Sequence, residues 1–486
     1  MSTQLKAQQG LTNLTPIKVI HILISLAIMV CFKFVPAAEP LTPLGVEVIG
    51  IFLGMLYGWL IANDSFWPSI FGLLFLGLSS YSTVPAVLRD GFGNSTVLLL
   101  FFFAFTNIIS AAGITEYIAR WIVSRKVVQG RPYLLTLMIF LAMCALVIMV
   151  SCAAATMVIF PLIKEICRLY GVKPGSKWAS ITLVGTICVG CSFYMLLPFK
   201  SLPAVVFSSY TQMSGGDSIA LVPYLAIVVV ITAITMALLL VLMKFVLRCD
   251  VSVIASSNKS MEELPKLSRY QKFIMVFFVA VIVLLLFPSF VPKTFIVSTV
   301  LNNVGATGIL LGAVGVYIMV SLKEGMPAVQ LFSKNIGWSI IFILAAALSI
   351  ADAMAAESTG ISAWLVELIT PVVQGKSPLV LTAVMCVVGM ALTNVANNIA
   401  TAAMLTPIAY SVGIACGANP AALAVCVLLA TNMGMATPPA SAPAAIVHGE
   451  KEWIPGSDAV KYGLVCCGIT LVLILAVIFP MANVMF

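Results

Sequence analysis

The sequence predicts an all-α integral membrane protein of about eleven transmembrane helices and two re-entrant helical hairpins, arranged as two inverted-topology repeats. Three observations carry this reading. Apolar residues make up 62% of the 486-residue chain and charged residues only 9%, too little charge to clothe a soluble fold of this length. Apolar runs of roughly 17–25 residues recur along the chain, each long enough to cross hydrocarbon as a helix, and none has the alternation of a membrane barrel. Short stretches of the first half also return in the second at a nearly constant distance.

In chain order, the spans fall at 18–36, 44–62, 66–80, 95–112, 178–207, 220–247, 272–291, 305–322, 335–353, 420–448 and 460–485. Two further apolar stretches, 132–169 and 378–414, are interrupted by SCAAAT (151–156) and NNIAT (397–401). Polar backbone at membrane depth is tolerated only where it packs in protein or lines a cavity, so both read as re-entrant hairpins. Spans 178–207 and 420–448 hold prolines at their centres and read as broken helices. The polar linker 249–270, CDVSVIASSNKSMEELPKLSRY, falls near the midpoint and separates two halves. The N-terminal MSTQLKAQQGLTNLTPIK has no small-residue cleavage site after a short apolar core, so no removable signal is expected.

The basic residues test the map. With the N-terminus in the cytoplasm and the C-terminus outside, only Lys33, Arg89, Lys293 and Lys376 fall outside. Lys200 has no side, and every other lysine and arginine lies on the cytoplasmic side or its margin, as the positive-inside rule requires. That distribution accounts for the net charge of +8 without a nucleic-acid partner. Cys188 and Cys191 form a C-x-x-C pair inside a span, without a second pair or nearby histidines, and read as buried small residues rather than a metal or redox site.

The repeats are ordered. VVQGRPYL (127–134) returns as VVQGKSPL (372–379), and Gly113-Ile114-Thr115 as Gly360-Ile361-Ser362. Ser151 precedes Pro161 as Asn397 precedes Pro407, and Met195, Pro198, Ser201 and Pro203 match Met435, Pro438, Ser441 and Pro443. An odd number of spans separates equivalent points, so the second copy is upside down. Inverted repeats with matched broken helices imply a secondary transporter with its site at the midplane between the repeats. Each break frees N–H groups that favour anions and carbonyls that favour cations. Two symmetric halves of this kind suit a small molecule with two separated anionic groups.

Lys200 sits in LLPFKSLPAVVF (196–207), between Pro198 and Pro203, in an otherwise uncharged span. A charge at bilayer depth costs roughly 2.5–3.5 kcal/mol even on lenient scales, which makes functional use the default. Snorkelling to an interface is the bland alternative. Proton carriage after desolvation is a third.

The patches SCAAATMVIFPLI (151–163), NNIATAAMLTPIA (397–409), FKSLPAVVF (199–207) and PASAPAAIV (439–447) resemble the divalent anion:sodium symporter (DASS) family. There each hairpin tip carries a Ser-Asn-Thr motif and each broken span a Thr-Pro-Pro-like loop. The resemblance implies a homodimeric carrier of dicarboxylates, citrate or sulfate, in which a transport domain moves like an elevator against a scaffold. It divides the chain into N-terminal scaffold helices (1–94), a first repeat core (95–219), scaffold helices and cytoplasmic linker (220–337), a second repeat core (338–449) and a C-terminal helix (450–486). Carried over residue by residue, it implies a substrate site of Ser151, Cys152, Lys200, Ser201, Pro203, Asn397, Asn398, Ser441 and Pro443. No cofactor and no metal are implied.

The departures from that pattern matter. The first tip keeps Ser151 but has Cys152 and Ala153 for the asparagine and threonine, and the second keeps only the central Asn398. Lys200 replaces a usual glycine, while its counterpart in the other half is Ala440. A tethered ammonium at the first cation position would donate to tip carbonyls and offset substrate charge. Because it cannot dissociate, it favours sodium-independent exchange of succinate, malate, fumarate or 2-oxoglutarate. Sodium- or proton-coupled symport of di- or tricarboxylates or sulfate is the alternative, and an anion channel the alternative of another class. His448, Asn107, Asp352 and Asn394 read chiefly as packing or interfacial residues, with Asn394 open to either role. An enzyme is excluded: the two histidines lie far apart, and there is no H-E-x-x-H, convergent carboxylate pair or Walker-type loop.

Overall fold

Long runs of leucine, isoleucine, valine and phenylalanine leave a membrane-buried backbone no water to bond, so it must close its hydrogen bonds internally. Every regular element among the described residues is accordingly helical. The computed structural model describes residues 16–62, 64, 66–256, 266–291, 295–323, 325, 332, 336–361, 363–364, 367, 376–395 and 398–486. Up to the central linker run α1 (Pro16–Cys31), α2 (Pro43–Leu60), α3 (Phe66–Leu78), α4 (Val84–Gly91), α5 (Asn94–Ala111), α6 (Ile114–Val123), α7 (Pro132–Met149), α8 (Cys152–Tyr170), α9 (Lys177–Tyr194), α10 (Ser201–Met213) and α11 (Leu221–Val241). Beyond it run α12 (Arg269–Phe290), α13 (Ile296–Lys323), α14 (Trp338–Ala355), α15 (Pro378–Val395), α16 (Asn398–Cys416), α17 (Pro420–Thr431), α18 (Ala442–Gly449) and α19 (Gly456–Leu473). Of the linker, 257–265 lie outside the described residues.

Local chemistry sets these boundaries. Pro43, Pro132, Pro378 and Pro420 each open a helix, where the missing N–H would have had no partner. Thr42, Ser151, Ser176 and Asn419 cap the helices that follow them by accepting a backbone N–H. Gly171 ends α8 in the left-handed region, φ 75°.

Eight helices among the described residues are long and apolar enough to cross a membrane, or nine if the α4–α5 pair, bent by 51°, counts as one span. The chain is thus a multi-pass, all-helical membrane protein. The sequence-based figure of about eleven differs because several elements are short. Helices α3 and α17 fall below the full length, and the runs 178–207 and 420–448 are split, at 195–200 between α9 and α10 and at 432–441 between α17 and α18.

The two hairpins correspond helix for helix. Helices α7 and α15 have 18 residues each, and α8 and α16 have 19 each. Pro161 and Pro407 fall at the same turn of α8 and α16. Burial sorts the helices further. About two thirds of the apolar stretch of α7, α14 and α16 is buried, 61–67%, against 11% for α1, 22% for α12 and 28% for α13. Helices α9 and α17 are buried almost throughout and form the core with α7, α14 and α16, while α12 turns Val276, Val279 and Val283 outward, as lipid-facing surfaces do.

Some polar side chains inside this core are paired, while others, such as the hydroxyls of Thr182 and Thr235, have no protein partner among the described residues. The indole N–H of Trp178 (α9) donates to Thr136 Oγ1 (α7) at 3.1 Å, and Thr136 donates to Pro132 O at 3.0 Å. Thr136→Val keeps the shape and removes the acceptor, so the buried indole N–H loses its partner. The expected destabilisation is about 1–3 kcal/mol in detergent-solubilised protein followed by thermal or denaturant unfolding; unchanged stability would contradict the pairing.

Candidate functional site

In the first half, Pro198 removes a donor and α9 ends at Tyr194, so 195–200 form a turn before α10 starts at Ser201. Pro203 is tolerated in the first turn of α10, where its N–H would be unpaired in any case. Lys200 holds the position just before α10 with extended backbone, φ −77° and ψ 159°, and its side chain does not cap the helix. It runs instead to the tip between α7 and α8. There Nζ donates to Val147 O and, at 3.1 Å, to Val150 O. These carbonyls belong to the end of α7, where no following turn can use them and where the helix dipole favours a cation. The ammonium also lies 4.3 Å from the Tyr194 ring centre, a cation–π contact. Lys200 is only 2% exposed. Ser151 caps α8 by accepting from Ala154 N at 3.2 Å, and Ser201 Oγ pairs with Tyr194 OH at 2.9 Å. Ser151, Lys200, Ser201 and Tyr194 line one crevice with Thr106 and Phe102 of α5; its free volume is about 20 Å³, room for little more than a water. Cys152 turns its thiol to Cys191 instead, Sγ–Sγ 3.7 Å.

In the second half the roles of tip and break are exchanged. Asn394, in the last turn of α15, accepts from Met435 N (3.1 Å) and Ala436 N (2.8 Å) through Oδ1, and donates to Met390 O (2.7 Å) and Met433 O (3.1 Å) through Nδ2. Thr437 Oγ1 donates back to Asn394 O. Asn398 Oδ1 lies 2.7 Å from Thr393 Oγ1, which is also 2.7 Å from Thr431 O. One hydroxyl proton thus faces two acceptors. A Cβ on Gly434 would come within 2.4 Å of Asn398 Oδ1, 2.9 Å of Thr393 O and 3.2 Å of Ala440 O. Oxygens converge over this glycine, and only glycine leaves them space. Ser441 caps α18, accepting from Ala444 N and donating to Gly434 O at 2.7 Å; Pro443 fills the first turn behind it. Asn397 lies outside the described residues.

The halves are tied together. Asn432, where α17 ends, donates to Cys191 O of α9, and Lys164 of α8 pairs with Glu450, just past α18, at 2.8 Å with both partly buried. His448 Nε2 lies 3.4 Å from Met435 O, and Asp352 accepts from Gln212 at 3.2 Å. Outside the spans, burial pushes the Tyr81 hydroxyl up, and the Asp352 and Asp90 carboxylates add to it. Sequence reasoning missed Tyr194, Thr393, Asn432 and Glu450 and left Asn394 undecided. The repeat offset that pairs Lys200 with Ala440 also pairs Tyr194 with Gly434, and that signal was available.

Residues 14–430 match the family described as Citrate transporter, CitMHS. Over 254 residues, 51% of this chain, the sequence is 23% identical to the sodium-dependent dicarboxylate transporter SdcS of Staphylococcus saprophyticus; the match spans 48% of that relative, about half its length. Two solved structures share the fold. The YdaH transporter of Alcanivorax borkumensis superposes with a TM-score of 0.57 at 13% identity, over 96% of this chain and 97% of that one. MtrF of Neisseria gonorrhoeae, which illuminates a class of antimetabolite efflux pumps, gives 0.58 at 12% identity, over 98% and 97%.

Asn394→Asp keeps the acceptor for Met435 and Ala436 and turns the donor end into an oxygen facing two carbonyls. Loss of two bonds with repulsion added is expected to lower unfolding stability by about 2 kcal/mol or more; a variant as stable as the parent would contradict the assignment of Asn394 as the clamp of the second break.

Proposed function

The chain belongs to the citrate transporter family, and on that premise we propose that it is a secondary carrier of small di- or tricarboxylates in the cell membrane. The observation that carries the reading is the buried Lys200 ammonium at the tip between α7 and α8, beside two serines, Ser151 and Ser201, that line the same crevice. A carboxylate entering there meets hydroxyl donors, the N-terminus of α8 and a fixed positive charge. The substrate site proposed is Ser151, Lys200 and Ser201 from the first half, and Asn397, Asn398 and Ser441 from the second. Cys152, Pro203 and Pro443 shape the backbone around it.

The name of the dicarboxylate relative, sodium-dependent, supports cation coupling, and the two halves differ in how they would meet it. Around Gly434, Asn398 Oδ1, Thr393 O and Ala440 O are hard oxygen ligands of the kind a sodium ion takes. In the first half, Tyr194 and Lys200 occupy the corresponding positions. We therefore favour one mobile cation, carried in the second half, with Lys200 in the role of the other. The second reading is sodium-independent exchange, favoured by Lys200 itself: an empty carrier would return with its charge uncompensated, and a loaded one would not. The four patches resembling the divalent anion:sodium symporters support an elevator movement of the two repeat cores and a homodimer, and the distribution of lysines and arginines supports an N-terminus in the cytoplasm with the C-terminus outside.

The test is uptake of labelled succinate and citrate into proteoliposomes, with and without a sodium gradient and with and without internal carboxylate. Uptake into empty vesicles driven by sodium is the expected result. Uptake that ignores sodium and needs internal carboxylate would select exchange, and no saturable uptake of any carboxylate would overturn the carrier. Under the favoured reading, Asn398→Ala, which removes the side-chain oxygen among these ligands, raises the sodium concentration for half-maximal uptake roughly tenfold, a loss of about 1.4 kcal/mol of cation binding. Lys200→Met abolishes uptake while the protein remains folded; retained uptake would remove Lys200 from the site.

A further inference from the structure

A cavity of about 460 Å³ lies beside α10, walled by Asn94, Ser95 and Leu98 of α5 and by Ser208, Thr211 and Gln212 of α10. Its volume is in the range of small-molecule sites. It uses the same two helices as the Lys200 crevice. On α10, Ala204, Ser208 and Thr211 face the cavity, and Ser201, one turn before Ala204, faces the crevice. With a rise of 1.5 Å per residue, Ser201 and Ser208 are about 10 Å apart along the helix. On α5, Leu98 belongs to the cavity and Leu99 and Phe102 to the crevice. Phe199 lines the cavity and Phe102 the crevice, and their rings touch with centroids 5.2 Å apart. The ammonium of Lys200 lies 5.9 Å from the Phe102 ring centre.

The cavity chemistry fits a hydrated carboxylate. Its hydroxyls are neutral donors, and Asn94 engages its carbonyl oxygen with Thr307 at 2.6 Å, which leaves its N–H₂ end for a ligand. Of the nearby carboxylates, Asp90 lies 3.0 Å from Arg89 and Asp352 accepts from Gln212, so neither meets a ligand unanswered. Gln212 Oε1 is buried without a protein partner, an acceptor for water or for a substrate hydroxyl.

We propose that this cavity is the antechamber through which the carboxylate reaches Lys200, and that the Phe102–Phe199 pair is the gate between them. The antechamber rests on the carrier reading above; the gate does not. Lining the two spaces with the same helices means that separating two rings joins them, with no helix unfolded.

The test uses the full chain in sealed vesicles of both orientations, with Ser208→Cys or Ser201→Cys reacted with a charged, membrane-impermeant methanethiosulfonate and read position by position by mass spectrometry. Position 208 is expected to react from one face only, and succinate to slow it roughly threefold or more. Position 201 is expected to stay unreactive until Phe102→Ala or Phe199→Ala is added, which raises its rate roughly tenfold. Phe102→Leu, which retains more of the side chain, is expected to fall between and guards against misfolding of the alanine variants. Reaction at 208 from neither face, or no protection by succinate in a chain that transports it, would overturn the antechamber. Reactivity at 201 that ignores both phenylalanines would overturn the gate. If the chain transports no carboxylate while the phenylalanines still control position 201, the carrier reading falls and the gate stands.

Discussion

The ammonium of Lys200 closes the end of α7, and the first half of the site depends on that closure. A helix that stops inside a membrane leaves carbonyls without partners, and each unsatisfied group costs several kcal/mol in hydrocarbon. A lysine buried alone is costly too. Brought together, the two liabilities answer each other: Val147 and Val150 supply acceptors, the Tyr194 ring covers one side of the charge, and the helix dipole points its negative end at it. Either partner without the other would be destabilising, so tip and break are fixed relative to one another.

The second half solves the same problem with neutral groups. Asn394 bonds the backbone of its break on both donor and acceptor sides, so the tip reaches into the break rather than the reverse. The result is asymmetric in charge: a filled position where Tyr194 and Lys200 stand, and converging oxygens where Gly434 and Ala440 stand. The two halves thus share a frame of helix tip and helix break but differ in electrostatic character at two positions, 194 against 434 and 200 against 440.

Much of this was legible in the sequence because membrane burial and helix breaking have strong local causes. The interruptions at 151–156 and 397–401, the prolines at 198 and 203 and the repeat offset placed the hairpins and breaks within a few residues. Lys200 stood out because an uncharged span makes a single charge conspicuous. The span limits were less legible, since an apolar run such as 66–80 does not show in the sequence where its helix ends, and the helix it forms, Phe66–Leu78, has only 13 residues. Asn394 was left undecided because its partners are backbone atoms of Met433, Met435 and Ala436, and backbone partners leave no mark in side-chain pattern. Asn432 and Cys191 meet across the halves for reasons of tertiary packing that no local period encodes.

The central claim is that Lys200 holds the first tip against its break, and amide hydrogen exchange in lipid nanodiscs tests it most directly. In Lys200→Met the last turns of α7, Met143–Val150, should exchange roughly tenfold faster than in the parent. The matched turns of α15, Gly389–Thr393, should be unchanged. Protection at Met143–Val150 equal to that of the parent would contradict the account, because the tip would then be held by something other than the ammonium.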